Sequence, residues 1–231
     1  MRYSDTVWAR FVSRENRFVA TVMLEGVETK VHVKNTGRCR EILVPGADVV
    51  LSDSLNPGRR YRYDLVAVRK GDLLINIDAQ APNKAFGEYI MDAGPFGPDP
   101  SVYPEHTHGD SRFDFYVESE GRRIFAEVKG VTLENERVCM FPDAPTERGR
   151  KHLRGLEACV FEGYEAFAVF VIQMSGMRMF APNRVTDPGF ADELGRAVGS
   201  GVGIMCLGCD VTEDTMRITH TVPWSLVFDS R

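Results

Sequence analysis

Residues 111–131 read SRFDFYVESEGRRIFAEVKGV, and their folding decides what the second half of the chain can be. Two apolar runs flank Ser119, Glu120 and Gly121, a tight-turn signal, so the stretch predicts an antiparallel hairpin. A fold between Glu120 and Gly121 sets Asp114 opposite Glu127 and Arg112 opposite Lys129. Directly opposed Cβ atoms lie about 4.5–5.5 Å apart, and side chains alternate between the two faces. Arg112, Asp114, Glu127 and Lys129 then share one face, and Phe113, Phe115, Ile124, Ala126 and Val128 form an apolar layer on the other. Two carboxylates so close repel unless a cation joins them. Mg²⁺ takes one or two carboxylates and leaves the rest of its shell to water and phosphate oxygens. The Val128 carbonyl lies at the same end of the strand, Lys129 can orient an attacking water, and Arg112 can take a phosphate. The pattern points to a metal-dependent phosphodiester hydrolase or the remnant of one. Without Asp114 the Glu-x-Lys would be an ordinary hairpin ion pair, worth under about 1 kcal/mol.

Working outward, residues 6–78 alternate apolar and polar in short runs: TVWARFVS, RFVATVML, TKVHVK, ADVVLSD, RYDLVAV and LLINI. NTGRCREIL, 35–43, predicts a short helix between the third and fourth strands. Strands of this number and length within about 75 residues predict a small β-barrel, of which the OB-fold is one form. We assign residues 1–79 to it. Near residue 80 the period changes. AQAPNKAFGEYIM predicts a helix with Asn83 as N-cap, and residues 92–110, rich in Pro and Gly, predict a long loop. After the hairpin come a strand or loop at 137–141 and a helix over 144–162 capped by Asp143 or Thr146. A continuous apolar strand, EAFAVFVIQM, a helix within DPGFADELGRAVGSG and a strand VGIMCL complete an α/β domain, 80–231.

Bulk properties exclude several classes. No run approaches the roughly 20 apolar residues that cross a bilayer, and the N-terminus carries no apolar signal core, which points to the cytoplasm. Five scattered cysteines do not make a disulfide framework, and the C-x-x-C of Cys206 and Cys209 lacks the second ligand pair of a zinc site. The net charge of −5 is unevenly spread. Residues 1–80 hold 13 Lys and Arg against 10 Asp and Glu, so the barrel is mildly basic and the rest acidic.

The stretches HVKNTGRC…LVPGADV, INIDAQAPN, GDSRFDF, EVKGVTL and FPDAPTERGRKHL, with PNR at 182–184, span nearly the whole chain. In them the sequence resembles the sugar fermentation stimulation protein A (SfsA) family. The resemblance implies an OB-fold β-barrel followed by a PD-(D/E)XK nuclease-like α/β domain. It also implies sequence-non-specific DNA binding and a regulatory role in sugar (maltose) metabolism. The superfamily's acidic pattern falls on Asp114, Glu127 and Lys129, with Glu88 as the preceding helical carboxylate. The resemblance thus implies a Mg²⁺ or Mn²⁺ site of Asp114, Glu127, Val128 and Glu88, and supporting roles for Ser111, Arg112, Thr146, Arg148 and His152. Where relatives carry a basic residue, His106 and His108 stand in this sequence and read as flexible surface histidines.

In the barrel, Lys34, Arg38 and Arg40 form one cationic cluster and Arg59, Arg60 and Arg62 another, interleaved with Tyr61 and Tyr63. Cations on phosphates with aromatics under bases are how single strands are held, so these six residues are the candidate nucleic-acid contacts. Phe18 reads as core. Three functions remain: DNA binding in regulation, a metal-dependent nuclease, and an OB module for RNA or saccharide. Oligomeric state stays open, a homodimer included.

Overall fold

The computed structural model describes residues 1–35, 37 and 39–227. The first sheet contains β1 (Thr6–Arg14), β2 (Val19–Leu24), β3 (Val27–Val33), β4 (Asp48–Asp53), β5 (Tyr63–Lys70) and β6 (Leu73–Asn76). β1 pairs antiparallel with β2 and β4, and β3 meets β5 in parallel at His32 and Val33, which closes the OB barrel. Phe11, Val22, Val31, Leu51 and Leu65 fill it. The predicted helix over 35–43 does not form among the described residues. Leu43 N–H donates to Cys39 O at 2.8 Å within a turn, and Cys39 sits at φ +46°, a conformation no α-helix admits. Thr36 and Arg38 lie outside the described residues.

α1 (Ala81–Ala93) begins after Gln80, with Pro82 in its first turn and no side-chain cap. Asn83 therefore lies inside the helix rather than capping it. β7 (Ser101–His108) forms within the second half of the predicted loop. Its pairing along β8 (Ser111–Ser119) skips Glu105, which has φ +54°, and Pro104 is tolerated because the strand is an edge. His106 and His108 are thereby ordered. His106 stacks on Tyr116 at 4.7 Å, and His108 lies 4.9 Å from the Phe125 ring and 2.7 Å from Glu162.

β8 and β9 (Arg122–Val131) turn at Glu120 and Gly121, both at positive φ as a two-residue hairpin requires. Their ladder runs from Ser119↔Arg122 to Phe115↔Ala126, the expected register. β10 (Leu133–Asn135) and β11 (Val138–Phe141) form a small sheet with β13 (Met179–Pro182). α2 (Glu147–Phe161) is capped by Thr146, whose Oγ1 accepts from Gly149 N–H at 3.0 Å. β12 (Glu165–Ile172), α3 (Pro188–Gly199), β14 (Gly203–Val211) and β15 (Met216–Thr221) complete the domain. Its mixed sheet runs β15-β14-β12-β9-β8-β7, with β9, β12 and β14 parallel. β12 is apolar from Ala166 onward because α1's side buries Val169 and Val171 while α2's side buries Ala168, Phe170 and Ile172.

Asp187 caps α3 through Phe190 N–H and also accepts from Thr146 N–H at 2.8 Å, so one carboxylate ties the starts of both helices. Burial opposes its charge, but the backbone N–H groups around it and Arg150 hold its carboxyl below the ordinary aspartate value. Barrel and α/β domain share one apolar cluster. Gln173, just past β12, donates from Nε2 to Asn76 O, Asn76 Oδ1 and Asp78 O at 3.0–3.1 Å. Cys206 and Cys209 belong to β14, where a three-residue spacing sends them to opposite faces, so they form no ligand pair. All five cysteines are free and buried.

Candidate metal centre and nucleic-acid interface

Four elements meet at one point. β8 supplies Asp114, β9 supplies Glu127 and Lys129, α1 supplies Asn83, and α2 supplies His152 and Arg148. Asp114 sits where the pleat of β8 breaks. Phe115 packs on Phe86 of α1 at 5.5 Å, but Phe113 packs on Phe125 of the α2 face at 5.2 Å. Residues i and i+2 on opposite faces mean that the strand rolls over between them. Phe113 thus leaves the apolar layer expected for it. Arg112 does not reach Lys129; it pairs with Glu105 on the edge strand.

The break frees Asp114 to look across at β9. Its Oδ2 accepts from Val128 N–H at 2.8 Å, and its Oδ1 from Asn83 Nδ2 at 2.8 Å. The N–H and C=O of one strand residue point the same way, so the Val128 carbonyl faces the same gap. Glu127 is 4 % exposed. Its Oε1 takes Lys129 Nζ at 2.5 Å and the His152 Nδ1–H, while Oε2 is buried with no hydrogen-bond partner among the described residues. His152 Nε2 faces Arg148 Nε at 3.4 Å, which fixes the imidazole as the Nδ1–H tautomer.

The two carboxyls are driven apart. Burial, then the Glu127 charge, raises Asp114 above the ordinary aspartate value, against the Val128 N–H, Asn83 and Lys129. Burial also works to raise Glu127, but the His152 hydrogen bond and the Lys129 charge and hydrogen bond hold it below the ordinary glutamate value. An unpartnered buried carboxylate oxygen next to a second carboxylate and a backbone carbonyl is a hard-oxygen donor set, which suits a small divalent cation. Among the described residues no group of three or more His, Cys, Asp or Glu is arranged to hold a metal. The rest of a shell would have to come from water and phosphate.

Other predicted site residues lie elsewhere. Glu88 is half-exposed and pairs with the Met1 ammonium at 2.5 Å, in a cleft with Tyr89, Asp92 and Arg217. Asn83 is what α1 gives to Asp114, and nothing in a carboxylate pattern flagged it. Ser111 is buried against α2 at Gly155, where a Cβ would stand 2.6 Å from its hydroxyl.

The barrel cations divide. Lys34 neutralises fully buried Asp78 at 2.7 Å, Arg59 clamps Asp64 beside His32, and Arg62 pairs with Asp53 at 2.7 Å. Each is committed to a carboxylate that the fold keeps out of water. Arg40 and Arg60 are exposed, and Arg60 lies 5.3 Å over the Tyr61 ring. Phe18, expected in the core, is 49 % exposed with Arg17 5.7 Å over its ring. It precedes β2, so the β1–β2 and β4–β5 loops each present an aromatic with an arginine, the loops OB-folds use to hold strands.

Comparison with known proteins agrees with this layout. A family model described as SfsA N-terminal OB domain matches residues 12–77, and one described as sugar fermentation stimulation protein RE domain matches residues 80–215. A sugar fermentation stimulation protein homolog from Desulfitobacterium hafniense is 50% identical over 98% of this chain and 99% of its own. One from Clostridium beijerinckii is 46% identical over 96% and 98%. The solved structure of Pyrococcus furiosus SfsA in complex with Ca²⁺ is 27% identical, with a TM-score of 0.88 over 97% of this chain and 98% of that one. This chain belongs to the sugar fermentation stimulation protein family.

Proposed function

We propose that the protein binds DNA without sequence preference and holds a Mg²⁺ or Mn²⁺ ion on Asp114 and Glu127, with the Val128 carbonyl, at which a phosphodiester is bound. The observation that carries the reading is Glu127 Oε2, buried without a partner next to Asp114. The Ca²⁺ named for the Pyrococcus furiosus relative supports it, since Ca²⁺ and Mg²⁺ both seek oxygen ligands. A bound divalent ion supplies Lewis acidity toward a phosphoryl oxygen and a more acidic water. Lys129, 2.5 Å from Glu127, is placed to hold the attacking water and to offset charge developing on phosphorus. His152 orients Glu127, and the exposed Arg148 stands over the site as a phosphate contact. DNA binding gives the family's named effect on sugar fermentation a route through regulation.

Calorimetry tests the cation site directly. Wild-type protein is expected to bind Mn²⁺, and the Asp114→Ala/Glu127→Ala variant to release no binding heat. Equal affinity in both sinks the site. For the barrel, Phe18→Ala with Arg60→Ala is expected to weaken single-stranded DNA about tenfold or more, as loss of one stacking ring and one phosphate contact does. Its salt dependence should flatten as well. Unchanged affinity and slope would return both loops to solvated surface.

A further inference from the structure

A cleft of about 260 Å³ opens one residue beyond Lys129, between the two domains. Gly130 and Gln173 form its floor, and Leu133 and Met140, paired across β10 and β11, form an apolar, half-buried wall. Asn35 and Gly37 of the barrel make the opposite rim. The polar groups of that rim are spoken for. Asn35 Nδ2 donates to Ile77 O at 2.8 Å, its Oδ1 accepts from Gly37 N–H, and the Gln173 amide nitrogen serves the linker. Thr132 and Asp143 are the exceptions among the described residues, and Asp143 is the ionisable one of the two. It is exposed and has no ion-pair or hydrogen-bond partner among the described residues. Its Oδ2 reaches to 3.2 Å from where a Gly37 Cβ would stand, so it leans over the cleft toward the barrel.

A mixed cleft just below the usual ligand-pocket range of about 300–1,000 Å³ takes one planar heterocycle and excludes a base pair. Leu133 and Met140 offer apolar surface for the flat face of a base. Asp143 is acceptor-only when ionised, so it rejects a base edge rich in carbonyls and takes one rich in N–H. Guanine presents two such hydrogens side by side, adenine and cytosine one amino group each, and thymine a single N–H between two carbonyls. The cleft lies three strand residues from Glu127, about 10 Å along β9.

The geometry points to this cleft as a pocket for one unpaired nucleobase on a strand whose phosphate lies at Asp114 and Glu127; guanine is preferred at that single position, and the rest of the strand is held through its backbone without regard to sequence. The inference rests on the proposed phosphodiester site and names its substrate class: single-stranded or frayed nucleic acid rather than intact duplex. Duplex DNA enters such a pocket only after unpairing and unstacking the base, which costs affinity that a single strand keeps.

Fluorescence anisotropy in EDTA, with a labelled oligothymidylate carrying one central dG, tests the pocket without turnover. Wild-type protein is expected to bind this single strand at least about tenfold more tightly than the same strand in duplex. It should also prefer it to the all-thymidine strand. Asp143→Asn should lower that dG preference about tenfold, with Mn²⁺ affinity by calorimetry unchanged. Equal affinity for single strand and duplex overturns the pocket, and so does a dG preference that survives Asp143→Asn. The cation site stands or falls separately, on the calorimetry of Asp114→Ala/Glu127→Ala.

Discussion

Lys129→Ala is expected to lower Mn²⁺-dependent cleavage of DNA by about 10²–10³-fold, the scale of losing one group that meets transition-state charge. Lys129 is 18 % exposed, and its ammonium touches Glu127 Oε1 at 2.5 Å. It is therefore held at the carboxylate rather than ranging through solvent. Its removal takes a competing cation away from Glu127, so Mn²⁺ affinity should hold or rise while turnover falls. That split separates a role in the chemical step from a role in building the site. Plasmid, single-stranded and frayed substrates incubated with wild type and variant give the comparison. Cleavage that persists in the variant sinks the assignment. No cleavage by the wild type on any substrate would leave a phosphodiester-binding protein without hydrolysis.

Gln173→Leu is expected to destabilise the protein by about 3 kcal/mol, because the buried amide that donates to Asn76 O, Asn76 Oδ1 and Asp78 O is lost, and only the latter two keep a backbone N–H, from Asp78 and Ala81, among the described residues. Leucine fills a similar volume, so packing contributes little to the difference. For a chain of this size that corresponds to a fall in Tm of roughly 6–12 °C. The acceptors lie on Asn76 and Asp78, in the segment that leaves the barrel. The loss therefore falls on the junction between domains and should also weaken any ligand gripped by both. Differential scanning calorimetry reads the change, and a Tm within about 2 °C of wild type would show that water replaces the amide at little cost.

The hairpin was legible because Ser119–Glu120–Gly121 is a strong turn signal and the register follows from it by counting. Counting fails where the pleat does. Nothing in Phe113-Asp114-Phe115 announces that the strand rolls over, since both faces of β8 are buried and both phenylalanines suit either. That roll moved Arg112 away from Lys129 and turned Asp114 toward Val128. Glu88 failed for a related reason. It stands five residues after Asn83, roughly 140° further round α1, and only the docking of α1 on the sheet decides which side faces Asp114. The amide was overlooked because metal-site patterns are written in carboxylates. The edge strand β7 was hidden by Pro104 and its polar residues, which an edge position accepts and a central one does not. In the barrel, positive charge was visible but commitment was not. Lys34, Arg59 and Arg62 each answer a carboxylate distant or unremarked in sequence, whereas Phe18 looked internal only because it is aromatic.

The five cysteines have a practical bearing on all these measurements. Each thiol is buried, and burial raises every one of them, Cys39, Cys139, Cys159 and Cys209 to about 12. Thiolate, not thiol, reacts with alkylating reagents, so the folded protein offers them almost nothing. Labelling then waits on opening of the chain, and its rate becomes a built-in clock for that event. Cys39 times the barrel and Cys159 the helix that carries His152, each in the same tube and without an added probe.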